Sequence, residues 1–185
     1  MGLVVLVTGV VLFLLLDSVL LPLKAVVMNL LSITASYGAL VWIFQDGHLA
    51  HWLGFTPGPI QTATPMIMFC LVFGLSMDYE VFLLSRVREE YERTGDNAKA
   101  VAAGLAHTGR LITGAAAIMA AVFFGFGLSR SVIIQAVGIG IGIAVMVDAT
   151  IVRALLVPAT MRLLGRWNWW SPRWLRFTLR RAEVL

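Results

Sequence analysis

Asp78 is the residue whose surroundings most demand a chemical reason. It lies in an apolar run, with Leu75, Met77, Val81, Phe82 and Leu83 around it. An ionised carboxylate at the centre of a bilayer costs about 2.5–3.5 kcal/mol on insertion scales, so such a residue faces the interior of a bundle and often marks an ion or proton path. Gly74 lies one helical turn earlier on the same face and would let a neighbouring helix come close. Tyr79 follows directly and offers a hydroxyl to a relay; Glu80 is two residues on. Arg86 stands about 12 Å away along a helix axis, too far to neutralise Asp78 simply. The chemistry these residues suggest is uptake of a proton on one side of a membrane and release on the other, each charge gaining about 2.3 kcal/mol per 100 mV. The competing account is a solvated or lysine-paired carboxylate near the interface.

Asp148 is a second acid within an apolar run, near its inner end, and Arg153 follows five residues later. A structural role, in which Asp148 pairs with a basic residue at the headgroups, is expected ahead of proton carriage. Thr113 could join a polar relay, although a hydroxyl bond to its own helix is the default. Thr113, Ala117, Ala121 and Gly125 share one face at steps of four, and Gly138, Gly140 and Gly142 form a GxGxG run. A nucleotide-binding glycine motif needs a preceding strand and a βαβ unit. Embedded in Val and Ile at helical length, these glycines instead predict close helix packing, with Gly138 and Gly142 as a small-xxx-small pair. Asn29, Ser32 and Ser36 share another face, for which hydrogen bonding between helices is the plain account.

The elements that must carry these residues are membrane spans. The chain has 185 residues, 59% of them hydrophobic and 13% charged, with a mean hydropathy of +0.89. A soluble domain carries about 25% charged residues. A spanning helix needs about 20 mostly apolar residues, and five candidates run over residues 2–16, 25–44, 62–84, 111–128 and 132–152. The first is short and has no basic residue before it, so the chain is expected to begin inside a helix, as a fragment would, rather than with a signal peptide. Asp17, Ser18, Pro22 and Lys24 mark the turn that follows. Pro158 is expected to kink or end the fifth helix.

Thirteen of the fourteen Lys and Arg residues fall on one side of these spans, and only Arg130 falls on the other. The positive-inside rule then puts the C-terminus in the cytoplasm and the start of the chain outside a cell membrane. Two stretches are expected at the interface. Residues 85–107 hold a charged helix with possible Arg86/Glu90, Arg88/Glu92 and Glu89/Arg93 pairs, a break at Thr94-Gly95-Asp96, and a second short helix capped by Asp96. The tail, 166–185, mixes Trp with Arg and suits a surface helix on anionic lipid. The membrane unit thus covers 1–165.

Composition and motifs exclude several classes. The net charge of +4 flanks apolar spans and accompanies no nucleic-acid-binding motif. Cys70 is the sole cysteine and reads as a small hydrophobe, and His48 and His51 lack the company a zinc site needs. No cofactor is expected. There is no Ser/His/Asp arrangement, metal cluster or nucleotide loop to suggest an enzyme.

The stretches KAVVMNLLSITASYGALVWIFQ (24–45), FGLSMDYEVFLLSRVREEY (73–91), GDNAKAVAAGLAHTGRLITGAA (95–116) and VDATIVRALLVPATMRLLG (147–165) resemble the last membrane segments of MMPL-type transporters, of the resistance-nodulation-division superfamily. That resemblance implies an all-α fold, in which these five spans correspond to the eighth to twelfth of twelve. It also implies proton-driven export of lipids or hydrophobic drugs. Asp78 and Tyr79 match the family's tenth-span proton-relay pair, whose fourth-span partners are not in this chain. A first-half membrane domain, in the same parent chain or a second subunit, is therefore an expected partner beside the lipid bilayer and a hydrophobic substrate. Drug pumps of another branch use an intramembrane lysine, and none stands within these five spans. The alternative is a non-transporting remnant or interaction subunit.

Overall fold

The computed structural model describes residues 2–16 and 18–170, and among them every regular element is helical. Helix α1 spans Gly2–Leu16 and α2 spans Leu20–Leu40, continued by a π-wound turn, Val41–Gln45. A single short turn, α3 (Ala50–Leu53), sits in the loop before α4 (Ala63–Thr94). Then come α5 (Asn97–Phe126), α6 (Val132–Val147), a π-wound stretch Asp148–Leu156, α7 (Val157–Leu164) and a closing 3-10 turn, Gly165–Trp169. Four helices are long and apolar enough to cross a membrane, over Leu20–Gln45, Ala63–Thr94, Asn97–Phe126 and Val132–Leu164, and Gly2–Leu16 is a shorter apolar helix. The expected surface helix of the tail lies outside the described residues from position 171 onward.

The arrangement is centred on α6. Its buried residues run almost all round, from Gln135 and Ala136 through Gly138–Gly142 to Ala144 and Val145, as expected for a helix apolar on every side. It packs on α2, α4 and α5, and α4 packs on α5 and α2 in turn. The glycine run makes this possible. A Cβ at Gly138 would stand 2.6 Å from the Phe123 carbonyl oxygen, one at Gly142 would meet the Phe124 ring at 2.8 Å, and one at Gly140 would meet Leu40 and Met68. Gly138 and Gly142 thus form the expected close contact with α5, while Gly140 serves α2 and α4. The row Thr113, Ala117, Ala121 and Gly125 does not pack on the other described elements: all four are exposed, and α5 instead buries Ile112, Ala116 and Ala120.

The segment over 85–107 differs from expectation in continuity. Its two halves are not separate interfacial helices; they extend α4 and α5, which reach 32 and 30 residues. At 1.5 Å per residue each exceeds a hydrocarbon slab of about 30 Å and must project beyond it. The break itself stands as expected. Gly95 takes a left-handed φ of 67° as α4 ends, and Asp96 caps α5 by accepting hydrogen bonds from the Ala98 and Lys99 amides at 2.9 and 3.2 Å. The charged pairs on α4 are Arg88–Glu92, as expected, but Arg86–Glu89 and Arg93–Glu90 at a spacing of three. Lys24 is not in a turn. It lies inside α2 and is buried, donating to the Val157 carbonyl at 3.1 Å.

Both ends of the bundle are pinned by polar contacts. At one end, the Gln135 amide donates to the Leu53 and Gly127 carbonyls. At the other, the Trp169 indole donates to Asn97 and stacks on Tyr91, Asn97 donates to the Met161 carbonyl, and the Ser18 hydroxyl donates to the Asn168 carbonyl. The last bond clasps the elbow between α1 and α2 to the closing turn.

Two outcomes are expected. Gly138→Ala lowers the thermal midpoint of the detergent-solubilised chain, costing about 1–3 kcal/mol through overpacking, whereas Gly74→Ala, whose Cβ meets nothing within 4 Å, leaves it unchanged. The Asp96 carboxyl is held below its ordinary value of 3.8, chiefly by the Lys99 amide, with the Ala98 amide and the Lys99 ammonium adding. A lowered folded value means the cap is fully present above that ordinary value and is lost as pH falls through the lower one. Amide exchange at Ala98 and Lys99, corrected for intrinsic rates, should accelerate on acidification in the parent chain and show no such step in Asp96→Ala.

Candidate functional site

Successive residues of an α-helix are separated by about 100°, so Asp78 and Glu80 point to nearly opposite sides of α4. The two faces differ completely. Asp78 is exposed, as is Gly74 one turn before it, and no hydrogen bond or ion pair to a described residue engages Asp78. Ser76 and Glu80, four apart, are both buried, at 4% exposure each.

The buried face meets a cluster that sequence reasoning did not assemble. Asp148 Oδ2 accepts from the Ser76 hydroxyl at 2.9 Å and from the Arg153 guanidinium at 2.8 Å. Arg153 also donates to the Ser76 carbonyl at 2.9 Å, and its guanidinium carbon lies 5.5 Å from the centre of the Tyr79 ring. Side-chain exposures of 6% and 10% enclose the Arg153–Asp148 pair within the bundle. Glu80 feels the charges of Arg153, Asp148 and Lys24, and its Oε1 has no hydrogen-bond partner among the described residues. Two acids and two bases, drawn from α2, α4 and the π-wound stretch, balance in formal charge.

Local winding explains how Asp148 and Arg153 meet. Five residues apart on an α-helix they would diverge. In a π-helix the bonded pairs are five apart, so residues at that spacing come onto adjoining turns. Pro158 supplies a reason for the winding: its ring displaces the carbonyl four residues before it, and a wider turn relieves that clash. Pro158 does not stop the helix, which continues through a π segment ending at Leu156 into α7. The signals available in the sequence were the Ser76/Glu80 spacing and the Asp148…Arg153…Pro158 series.

Tyr79 is half-buried, between the exposed Asp78 and the enclosed Glu80. Tyr79 lines a cavity of about 20 Å³ with Ser76, Asp148 and Arg153, room for a single water. Thr113 is exposed on α5 and does not line it. Asn29, Ser32 and Ser36 are buried; Asn29 donates to the Phe73 carbonyl and Ser32 to the Ala144 carbonyl, the interhelical bonding expected of them, whereas Ser36 donates to the Ser32 carbonyl of its own helix. His48 stacks on Trp42 and contacts its carbonyl at 2.9 Å.

With an exposed carboxylate and a neutralised buried cluster on one helix, comparison with known proteins decides the family. The pattern of the MMPL family matches residues 1–184. The chain belongs to the MMPL family. MMPL proteins are transporters rather than enzymes, of the resistance-nodulation-division superfamily, and the chain is a multi-pass membrane protein. It is 47% identical over 169 residues to the trehalose monomycolate exporter MmpL3 of Mycobacterium tuberculosis, covering 91% of this chain and 18% of that protein. It is 48% identical over 163 residues to the heme uptake protein MmpL11 of the same species, covering 88% and 17%. A membrane protein of Streptomyces coelicolor shares 50% identity over 168 residues, 90% of this chain and 24% of its own length. The chain thus spans less than a quarter of the length of these MMPL relatives.

Removing one member of the buried pair leaves an uncompensated charge, which costs about 3–5 kcal/mol. Arg153→Gln should therefore lower thermal stability in detergent by that order. Adding Asp148→Asn to it should restore most of the loss, because amide and amide can still bond with no net charge. A double mutant no more stable than the single would show that the pair is not what holds these helices.

Proposed function

We propose that this chain is the C-terminal membrane half of a proton-driven exporter of lipids or other hydrophobic molecules, with Asp78 and Tyr79 as its share of the proton relay. The membrane unit is residues 1–165, and 166–185 is a basic tail on the cytoplasmic surface. The chain starts on the outer side, and its C-terminus lies in the cytoplasm. The observation that carries the reading is the exposed Asp78 beside the open Gly74. A bare carboxylate against lipid is costly, so this face of α4 calls for a protein partner that shields it and shares its proton. A first-half membrane domain, from the same parent chain or a second subunit, is that partner. Exposed Thr113 and its row of small residues on α5 offer a further contact for it. Two relatives, a trehalose monomycolate exporter and a heme uptake protein, are named for large molecules with apolar parts, which supports a hydrophobic cargo without fixing which one.

A second reading has its own observation. The charges of Glu80, Asp148, Lys24 and Arg153 balance within the chain, so the bundle could serve as a scaffold that transports nothing by itself.

Co-expression of this chain with a matching first half separates the two. Export should depend on both parts, and Asp78→Asn should reduce it to the level of cells lacking the chain while leaving the amount of membrane-inserted protein unchanged. Export by Asp78→Asn equal to the parent would sink the relay reading, and a scaffold would then be the better account.

A further inference from the structure

We propose that the groove between the first turns of α5 and α7 binds an anionic phospholipid, its phosphate on Arg162 and its glycerol and upper acyl chain against the apolar wall. The groove is distinct from the Asp78 face, and its occupancy does not depend on transport.

Three observations point to this occupant. The first is shape and lining. A cavity of about 360 Å³ is walled by Val101, Ala102 and Leu105 of α5 and by Pro158 and Ala159 of α7, with Arg162 as its charged lining residue. The second is depth. Counted from Phe126, Leu105 lies about 31 Å down α5, one hydrocarbon thickness, so the groove runs outward from there into the headgroup layer. Apolar walls at that depth have no bulk hydrocarbon to cover them. The third is charge. Arg162 is exposed, and no described carboxylate pairs with it. The other groove of α5, where Ala103, Gly104 and His107 face Phe82, Arg86 and Glu89 of α4, is of similar size, but its arginine is paired to Glu89 at 2.8 Å. Basic pockets between helices on the Arg-rich side are suited to anionic headgroups.

The walls are also held in place. Asn97 bonds the Met161 carbonyl, and Trp169 bonds Asn97, so α5 and α7 are fastened at the groove's outer end. Pre-formed walls avoid the ordering cost that a flexible surface would incur on binding.

The test places a reporter in the groove of the full chain. Ala102→Cys in a Cys70→Ser background is labelled with bimane and reconstituted into phosphatidylcholine vesicles. Phosphatidylglycerol or phosphatidylcholine brominated near the acyl carbonyl is then added as quencher. Phosphatidylglycerol should quench at roughly fivefold lower mole fraction, the preference expected of one arginine near the surface. Arg162→Gln should abolish that preference, Arg162→Lys should keep part of it, and Arg110→Gln, a neighbouring basic residue outside the groove, should keep all of it. Equal quenching by the two lipids, or a preference that survives Arg162→Gln, overturns the proposal. So does a label shielded from both lipids and aqueous iodide, since the groove would then be covered by protein, whether the chain's own tail or another subunit.

Discussion

Asp148 and Arg153 meet 2.8 Å apart in a bundle with a largely apolar core, and most of the local architecture follows from the need to keep them together. Neither charge can be left alone at that depth, because the penalty for an unpaired buried ion exceeds what any single packing contact returns. Their pairing requires the π winding, which in turn lets the helix pass Pro158 without breaking. Ser76 is drawn in as a second donor to the acid, and Tyr79 lies against the guanidinium. Two turns of α4 are thereby fixed in rotation about their own axis. Once that rotation is set, Glu80 has to point inward and Asp78 outward.

The same rotation sorts the small residues. Glycines of α6 admit the phenylalanines of α5 to backbone distance, while Gly74 and the Thr113 row are left exposed among the described helices. In a membrane, where apolar side chains gain little by leaving lipid for protein, close approach through small residues is a main source of association. A bundle with some such surfaces filled and others open is suited to a larger assembly, in keeping with the fraction of its relatives' length that it covers.

Much of this was legible in the sequence, and the failures have physical causes. Each expected apolar stretch falls largely within a helix, since hydrophobic length is what a bilayer selects, but the helices run on well past several of the expected ends. Thr94-Gly95-Asp96 announced its break because the left-handed glycine and the capping acid are local requirements, indifferent to tertiary context. The continuity of α4 and α5 beyond the slab was not legible, because composition changes at the membrane boundary while helical hydrogen bonding does not. Lys24 was placed in a turn because a charge near an apolar boundary looks solvated; its burial depends on the Val157 carbonyl, 133 residues away. The buried cluster escaped for a similar reason. Acids were weighed by depth along the chain, whereas facing decides which of Asp78 and Glu80 is enclosed, and the spacing of Asp148 and Arg153 is wrong for any ordinary α-helix.

The clasp between Ser18 and Asn168 joins positions 150 residues apart, and this bears on the order in which the protein takes shape during synthesis. The two helices flanking the elbow are made before the rest of this segment, yet the Ser18 clasp forms only when nearly the whole described chain has followed. Before it, α1 is held by its packing on α2 and then by α4, whose Arg88 donates to the Leu15 carbonyl. Within this segment the elbow is therefore the last joint of α1 to be locked.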